Sequence, residues 1–481
     1  MDNIAIVWFR NDLRLHDNEM LTDAIQKAKF VLPLYVFDPG IFTGTTSFGF
    51  EKTAKFRTKF ILESVEDLRK QLRLKGSDLI IRIGKPEEEI FIIAKEYKSS
   101  WVYCNRERTD EEVKVQDRVE KKLWTIGQEL RFCRGKMLYY TADLPFPISQ
   151  VPDTFSGYRK EIEYSVPLRK PLPVPEAIPF PDFKDDRGVL PTLADFSKGD
   201  LPADHIENQN FKGGETEGLK HLNHFVWETN QIASYKDTRN QLLGWSFSTK
   251  LSAWLSTGCL SPKYVIEQKL KFEEKVIKNE STYWLYFELL WRDYFRLMGK
   301  KYENRIFQPR GISHHDPGGS VDYALFGLWA TGMTGVPFID ANMRQLNSTG
   351  FMSNRGRQNV ASFLVKDLNI KWLMGAEYFE SLLLDYDPCS NYGNWNHIAG
   401  VGNDAKDDKY YNILAQSRKY DPEGKFIKYW IPELRPIPAH MVHDPGMMNQ
   451  EDQHKYGVIL GKDYPMAVTT KASRLKIEKT G

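Results

Sequence analysis

Two stretches concentrate side chains that could hold a polar ligand inside otherwise apolar helical sequence. Residues 335–374 (GVPFIDANMRQLNSTGFMSNRGRQNVASFLVKDLNIKWLM) and 384–404 (LDYDPCSNYGNWNHIAGVGND) set Arg355, Arg357, Asp385, Asp387 and Asn391 among apolar neighbours. Burying such groups costs free energy unless partners are supplied. They therefore mark a cofactor or substrate site, with a structural ion-pair network as the alternative. His221-x-x-His224 and His440-x-x-His443 have the spacing of metal pairs, but neither has acidic or cysteine company nearby, so surface or structural histidines are the better reading. The chain carries no G-x-x-x-x-G-K-[ST] phosphate loop, no G-x-G-x-x-G after its first strand and no G-x-S-x-G elbow. The common kinase, dinucleotide and serine-hydrolase chemistries thus have no support.

The elements that must position these residues fall into three regions. Ile4–Phe9, Val31–Phe37, Asp78–Ile83, Trp101–Tyr103 and Leu130–Cys133 are short apolar runs with strand character. Between them, Asn18–Lys29, Lys52–Leu74, Pro86–Glu96 and Asp110–Ile126 have helical spacing. Apolar strands alternating with amphipathic helices predict a doubly wound, Rossmann-like α/β domain on a parallel sheet, over residues 1–134. Residues 135–214 are rich in proline, which fixes φ and removes a donor, and read as a long connector wrapped over the surface. Residues 215–481 read as a large all-helical domain, with helices at Leu219–Gln231, Ser252–Ser256, Pro262–Glu273, Thr282–Gly299, Val336–Ser348, Asn359–Gly375 and Ala376–Asp385.

Composition agrees with a globular chain of two or three domains: 481 residues, 41% hydrophobic and 27% charged. A net charge of +2 means that any nucleic-acid binding relies on a local basic patch. Cys104, Cys133, Cys259 and Cys389 have no C-x-x-C spacing and read as reduced, buried thiols of an intracellular protein. No signal peptide and no run of 18 apolar residues is found, so a cytoplasmic location without a membrane span is expected. The 12 Trp serve packing first, with ligand stacking and electron hopping as the special uses.

The segments Thr334–Leu346 and Asn354–Trp372 resemble both signature segments of class I photolyases and cryptochromes. Residues 7–17 (VWFRNDLRLHD) and 248–262 (STKLSAWLSTGCLSP) resemble further blocks of that family, in its order. Within it, NRGRQNVASFL, WRDYF, AGVGND and FSGYRKEIE resemble the DASH-type cryptochromes. The (6–4) photolyases carry a His pair around the segment that here reads Phe351-Met352-Ser353-Asn354-Arg355, which argues against their chemistry.

The resemblance implies a C-terminal FAD-binding domain and blue-light-driven repair of cyclobutane pyrimidine dimers, mainly in single-stranded or loop DNA. Reduced FAD gives an electron to the dimer and takes it back after the ring splits. Tyr235 and Ser248, Thr249, Lys250, Leu251 and Ser252 match the phosphate-binding part, and hydroxyls with free N–H groups at a helix start do bind phosphate well. An ordinary N-cap is the alternative. Arg357 and Asp385 match the pair beside the flavin ring. Asp387 matches a contact to its edge and ribitol, Asn391 the residue facing N5, and Asn354 another pocket residue. Glu288 matches the carboxylate that bonds the dimer and Trp291 an aromatic wall of the lesion pocket; Gln358 stands where ordinary photolyases have Met and DASH members Gln. Arg292, Arg355, Lys366 and Arg344 are candidates for DNA phosphate contacts. Trp395 and Trp372 match the first two members of the tryptophan relay that reduces oxidised FAD. Glu112, with Glu111 beside it, matches a carboxylate that binds an antenna pterin, typically 5,10-methenyltetrahydrofolate in DASH members. The family default is a monomer.

Two positions depart from the pattern. His397 stands where ordinary photolyases have Trp and DASH proteins usually Tyr, in the wall of the lesion pocket. The third relay Trp, expected near Gly319, is missing, leaving Tyr323 or Trp329 as terminal donor or the relay truncated. The rival readings are a blue-light photoreceptor with little or no repair activity, and a nucleic-acid-binding flavoprotein without a light reaction.

Overall fold

The computed structural model describes residues 3–201, 211–403 and 410–468. Asp404 of the AGVGND block, part of the proline-rich connector and the basic tail lie outside them.

Five strands, β1 (Ile4–Phe9), β2 (Phe30–Phe37), β3 (Ile80–Ile83), β4 (Trp101–Asn105) and β5 (Leu130–Cys133), form one parallel sheet in the order β3-β2-β1-β4-β5. Helices at Glu19–Lys27, Lys55–Leu74, Pro86–Glu96 and Asp110–Trp124 cross between the strands. This is the doubly wound arrangement expected from the alternating pattern. β1 is buried throughout, and its residues alternate between two cores. Ile4, Ile6 and Trp8 pack under one sheet face. Ala5, Val7 and Phe9 pack on the other, in a core that continues into Leu285, Leu289 and Leu297 of the helical half. Pro33 is tolerated inside β2 because pairing with β3 begins only at Leu34. The connector passes alongside, with Val31 N–H donating to Pro179 O (2.7 Å).

The rest of the described chain is helical. The longest helix, Glu280–Tyr302, starts with an Asn279–Thr282 capping box. Several expectations are corrected. Asn359–Gly375 is not one helix: Asn354–Ser362 runs into a π turn at Phe363–Asp367, Asn369 takes a left-handed φ of 55°, and a new helix spans Trp372–Leu382. Ala376–Asp385 therefore has no helix of its own, and Asp385 lies beyond that helix's end. The expected Leu219–Gln231 helix starts at Glu215 and ends in a π turn at His224–Glu228. The connector is not purely a surface wrap either. Phe155–Ile162 is a helix whose Phe155, Tyr158 and Ile162 enter the main core.

Buried polar contacts stitch the sheet region to the helices. The Glu215 carboxylate accepts the N–H groups of Leu15 (2.7 Å) and His16 (3.0 Å). Arg14 donates to Gly258 O (2.8 Å) and Gly135 O (2.7 Å), and Lys263 pairs with Asp17 at 2.7 Å. Gly258 must be glycine: its φ is +71°, and a Cβ would lie 2.2 Å from Asn11 O. The blocks at 7–17 and 248–262 thus form the seam between the two regions.

Candidate functional site

One cleft of about 610 Å³ opens in the helical half. Its size suits a large cofactor together with part of a substrate. On one side stand Tyr235 and the run Ser248, Thr249, Lys250, Leu251 and Ser252. That run precedes and opens the short Ser252–Ser256 helix, and Lys250 sits at φ 47° with its ammonium over Phe247, 3.9 Å from the ring centroid. His221, read from sequence as half of a possible metal pair, instead braces this segment: Nε2 lies 2.7 Å from Thr249 O, and the ring stacks on Trp254. His224 and His443 are engaged as well, with Glu228 (2.8 Å) and Ser417 (2.7 Å).

The second wall carries Asn354, Arg357, Asp385, Asp387 and Asn391. Ser353 caps the Asn354–Ser362 helix by accepting from Gly356 N–H (3.0 Å) and so aims its first turn at the cleft. Arg357 Nη2 reaches both Asp385 oxygens, at 3.0 and 2.8 Å. Asp387 caps the Pro388–Ala399 helix and pairs with Arg296 at 3.0 Å. Burial alone would raise the Asp387 pKa, but Arg296 and Arg292 outweigh it and hold the carboxyl below its ordinary value. Asn391 donates its amide to Ala376 O (3.0 Å), leaving its carboxamide oxygen as the group that can accept.

Glu288, Trp291, Arg292, Gln358 and His397 line the rest of the same cleft. Glu288 pairs with Arg239 (2.7 Å) and accepts from Trp284 Nε1 (3.0 Å); burial raises its pKa although Arg239 pulls the other way. Trp291 is stacked on Phe155 of the connector, 3.8 Å between centroids and 11° between planes. Arg292 is a strut rather than a free cation: it donates to Lys136 O (2.6 Å) and Leu255 O (3.0 Å). Arg344 is likewise engaged, by Glu433 at 2.6 Å. Arg355 lies off the cleft lining, its guanidinium 4.6 Å from the Tyr420 ring centroid and donating to Asn240 (3.2 Å). Lys366 sits on the π turn, half-buried and also off the lining.

Trp395 lines the cleft; Trp372 is buried and off the lining. Gly375, one turn on from Trp372, packs so closely on Trp395 that a Cβ would lie 2.3 Å from its ring. Gly319 lies against Ile370 and Lys371, next to Trp372, and so offers no ring at the place expected of a third tryptophan. Glu111 and Glu112 lie in the α/β region, away from this cleft. Glu111 is exposed and pairs with Lys52, while Glu112 accepts from Thr109 Oγ1 (2.7 Å) and is raised by burial and by the Glu107 charge.

Sequence reading missed Arg239, Phe155, Arg296 and Glu107. Arg239 follows Tyr235 by four residues, a spacing that could have flagged it. The others meet the site from distant segments, as when Arg296 reaches Glu107 (3.4 Å) and Asp387 together.

The cleft suits a long ligand with phosphates at one end and a flat polar ring at the other. Hydroxyls and a lysine stand at the first end, a planar ion pair and an amide at the second. Gln358 Oε1, buried without a hydrogen-bond partner, remains for a donor brought by a ligand.

The family described as the FAD binding domain of DNA photolyase matches residues 284–479, and the family described as DNA photolyase matches residues 5–176. A protein named "Cryptochrome DASH" from Gloeobacter violaceus is 49% identical over 464 residues, 96% of this chain and 92% of that protein. The crystal structure of a Synechocystis sp. PCC6803 cryptochrome superposes with a TM-score of 0.95 at 42% identity, covering 99% of both chains. A class III photolyase from Agrobacterium tumefaciens superposes with a TM-score of 0.85 at 26% identity, covering 100% of this chain and 98% of the other.

Proposed function

The chain belongs to the photolyase/cryptochrome family, with an FAD-binding domain and DASH cryptochromes among its relatives, and on that premise we propose that it repairs cyclobutane pyrimidine dimers under blue light, preferentially in single-stranded or loop DNA. The observation that carries the proposal is that the residues assigned to FAD and those assigned to the lesion line a single cleft. A cofactor and a flipped dimer placed there would be neighbours, which is what a one-electron exchange between them requires.

Bound reduced FAD supplies the electron that blue light mobilises and that returns once the cyclobutane ring has opened. Ser248 to Ser252, Lys250 among them, would hold its phosphates. Arg357 and Asp385 would sit beside the flavin ring with Asp387 next to them, and the Asn391 oxygen would be free to accept from it. Glu288 would hydrogen-bond the dimer; burial raises its pKa, with Arg239 opposing. Trp291, backed by Phe155, forms the apolar wall, and Gln358 and His397 complete it. No nucleophile or general base is needed. Unpaired strands let the dimer leave the stack at lower cost, and His397 offers it less stacking surface than a Trp would.

The same resemblance implies a monomer and a folate antenna at Glu112. Burial and the neighbouring Arg296 bring Arg108 down to about 10, and burial with Arg108, Arg106 and Arg134 brings Lys300 down to about 8. An anionic ligand beside Arg108 and Lys300 would relieve that crowding of cations. Among the described residues no helix is long and apolar enough to cross a membrane.

The test is repair by chemically reduced holoprotein of thymine-dimer oligonucleotides, single-stranded and duplex, in blue light and in the dark. Light-dependent repair concentrated on the single strand is expected. No repair of either, with fully reduced FAD bound, would replace the enzyme reading with that of a photoreceptor.

A further inference from the structure

We propose that Tyr392, with Glu380 as the base that takes its proton, is the terminal electron donor for light-driven reduction of the bound flavin, in place of the tryptophan that Gly319 does not supply. The inference rests on the reading that FAD fills the cleft and that Trp395 and Trp372 carry charge away from it.

An oxidised indole passes its electron back quickly unless it loses its N–H proton or is itself reduced by a further group. Trp372 is buried, and its Nε1–H donates to Pro309 O at 2.9 Å. A peptide carbonyl is not a base, so the proton stays where it is. A further donor must therefore touch Trp372. Gly319 has no side chain to offer, and the ring that does touch is Tyr392, edge-on at 6.3 Å between centroids.

Tyr392 differs from the other candidates in what holds its hydroxyl. It is 5% exposed, and its OH donates to Glu380 Oε2 at 3.0 Å. Arg57 donates to the Glu380 backbone carbonyl (2.5 Å), and its charge opposes, without outweighing, the burial that raises the Glu380 pKa. Trp329 is fully buried, with Nε1–H bound to Val360 O (3.0 Å). Tyr378, beside it, donates to the Asn347 amide oxygen (2.7 Å). Both lack a base. Tyr323 is exposed but stacks on none of these rings among the described residues. Tyr392 thus takes, in this proposal, the place expected of Tyr323 or Trp329.

The step balances as follows. The photoexcited oxidised flavin gains one electron, delivered through Trp395 and Trp372. Tyr392 loses that electron to oxidised Trp372, which returns to its closed-shell form. The phenolic O–H bond breaks, an O–H bond forms on Glu380, and a neutral tyrosyl radical is left. A soluble thiol in the medium later restores the phenol. Tyr386 shares Glu380 and lines the cleft, so it is the internal competitor to be tested alongside.

The experiment uses the full chain with oxidised FAD bound, excited by a blue flash and followed by transient absorption and electron paramagnetic resonance. In the wild type, a tyrosyl radical should grow in as the tryptophan signal decays, more slowly in D2O. Tyr392→Phe should lose the tyrosyl signal and return the electron from the flavin to tryptophan. Glu380→Gln, which keeps both rings, should do the same, whereas Tyr386→Phe should keep the signal. If the Tyr392 variant does not hold flavin, ring-deuterated tyrosine in wild-type protein, which alters no contact, narrows the resonance of a tyrosyl radical, and its loss in Glu380→Gln makes the same point. A tyrosyl signal that is absent from the wild type, or that survives Tyr392→Phe, overturns the proposal. Unchanged flavin reduction in Trp372→Phe would overturn the relay reading beneath it, an outcome separate from the failure of Tyr392 alone.

Discussion

His221 acts on the candidate site from behind its lining, through the Thr249 carbonyl. Its ring lies between Trp254 and Trp245, and Nε2 meets Thr249 O at 2.7 Å. A carbonyl only accepts, so Nε2 carries the proton of a neutral ring. Burial, helped by His224 and Lys250 and opposed by the hydrogen bond, pulls its pKa down from 6.5 to about 4. A folded-state pKa below the unfolded one means that acid favours unfolding. The stability held by the neutral ring is full above about pH 6.5 and drains away as pH falls towards 4, by about 3 kcal/mol in all. His221→Gln keeps a donor for Thr249 but cannot titrate. Urea midpoints measured across that window should therefore fall more steeply for the wild type than for His221→Gln. His221→Ala removes the brace on the Ser248–Ser252 run and should weaken FAD retention about 2–10-fold at neutral pH, in line with one hydrogen bond of about 0.5–1.5 kcal/mol, as read by flavin fluorescence on dilution.

The Pro388–Ala399 helix shows how one element both ends a fold problem and builds a wall. Pro388 at its first position and Asp387 as N-cap fix its start, and Asp387 Oδ1 accepts from Ser390 N–H at 2.8 Å. The other carboxylate oxygen meets Arg296, and both side chains are nearly buried. Asp387→Asn keeps the cap and loses the pair; Asp387→Ala loses both. Glu107 still faces Arg296 at 3.4 Å, so losing the Asp387 charge costs less than the about 3–5 kcal/mol of stranding a buried arginine, and the cap adds about 1 kcal/mol. Chemical unfolding should rank wild type above Asn above Ala, with Arg296→Met recovering part of the loss in the Asn background. Asp387 could be singled out from sequence because a charged side chain set among apolar helical residues demands a partner. Its partner could not, since Arg296 lies 91 residues away. The same division runs through the elements. Ile4–Phe9 was legible to the residue, because a buried parallel strand is an uninterrupted apolar run with clear ends. The break at Phe363–Asn369 was not, because SFLVKDLNIKWLM is apolar enough to satisfy a helix in any register, and only the pairing of Ser320 with Ile370 turns the chain aside. The Phe155–Ile162 helix was hidden by the prolines around it, and with it Phe155, which backs the Trp291 wall.

For the whole molecule, the decisive fact is that the sheet and the helices share a core. The Ala5, Val7 and Phe9 face of β1 belongs to the same apolar cluster as Leu285, Leu289 and Leu297. Phe60 of the Lys55–Leu74 helix packs edge-on against Trp254 at 5.7 Å. Buried ions cross the same seam: Asp293 accepts from Leu138 and Tyr139 N–H at 3.1 and 2.9 Å, and Glu215 holds the Leu15–His16 turn. Separating the regions would expose that apolar face and strand those charges, and both costs run to several kcal/mol. Neither region then has a stable state that the other lacks. Loss of sheet structure, loss of helix and release of FAD should coincide in one denaturant transition. A fragment of residues 1–134 made alone should bind a hydrophobic dye and lack a cooperative transition of its own. Two resolved transitions in the intact chain, with the flavin lost in only one, would mean that the seam contributes little and that the sheet carries its own stability.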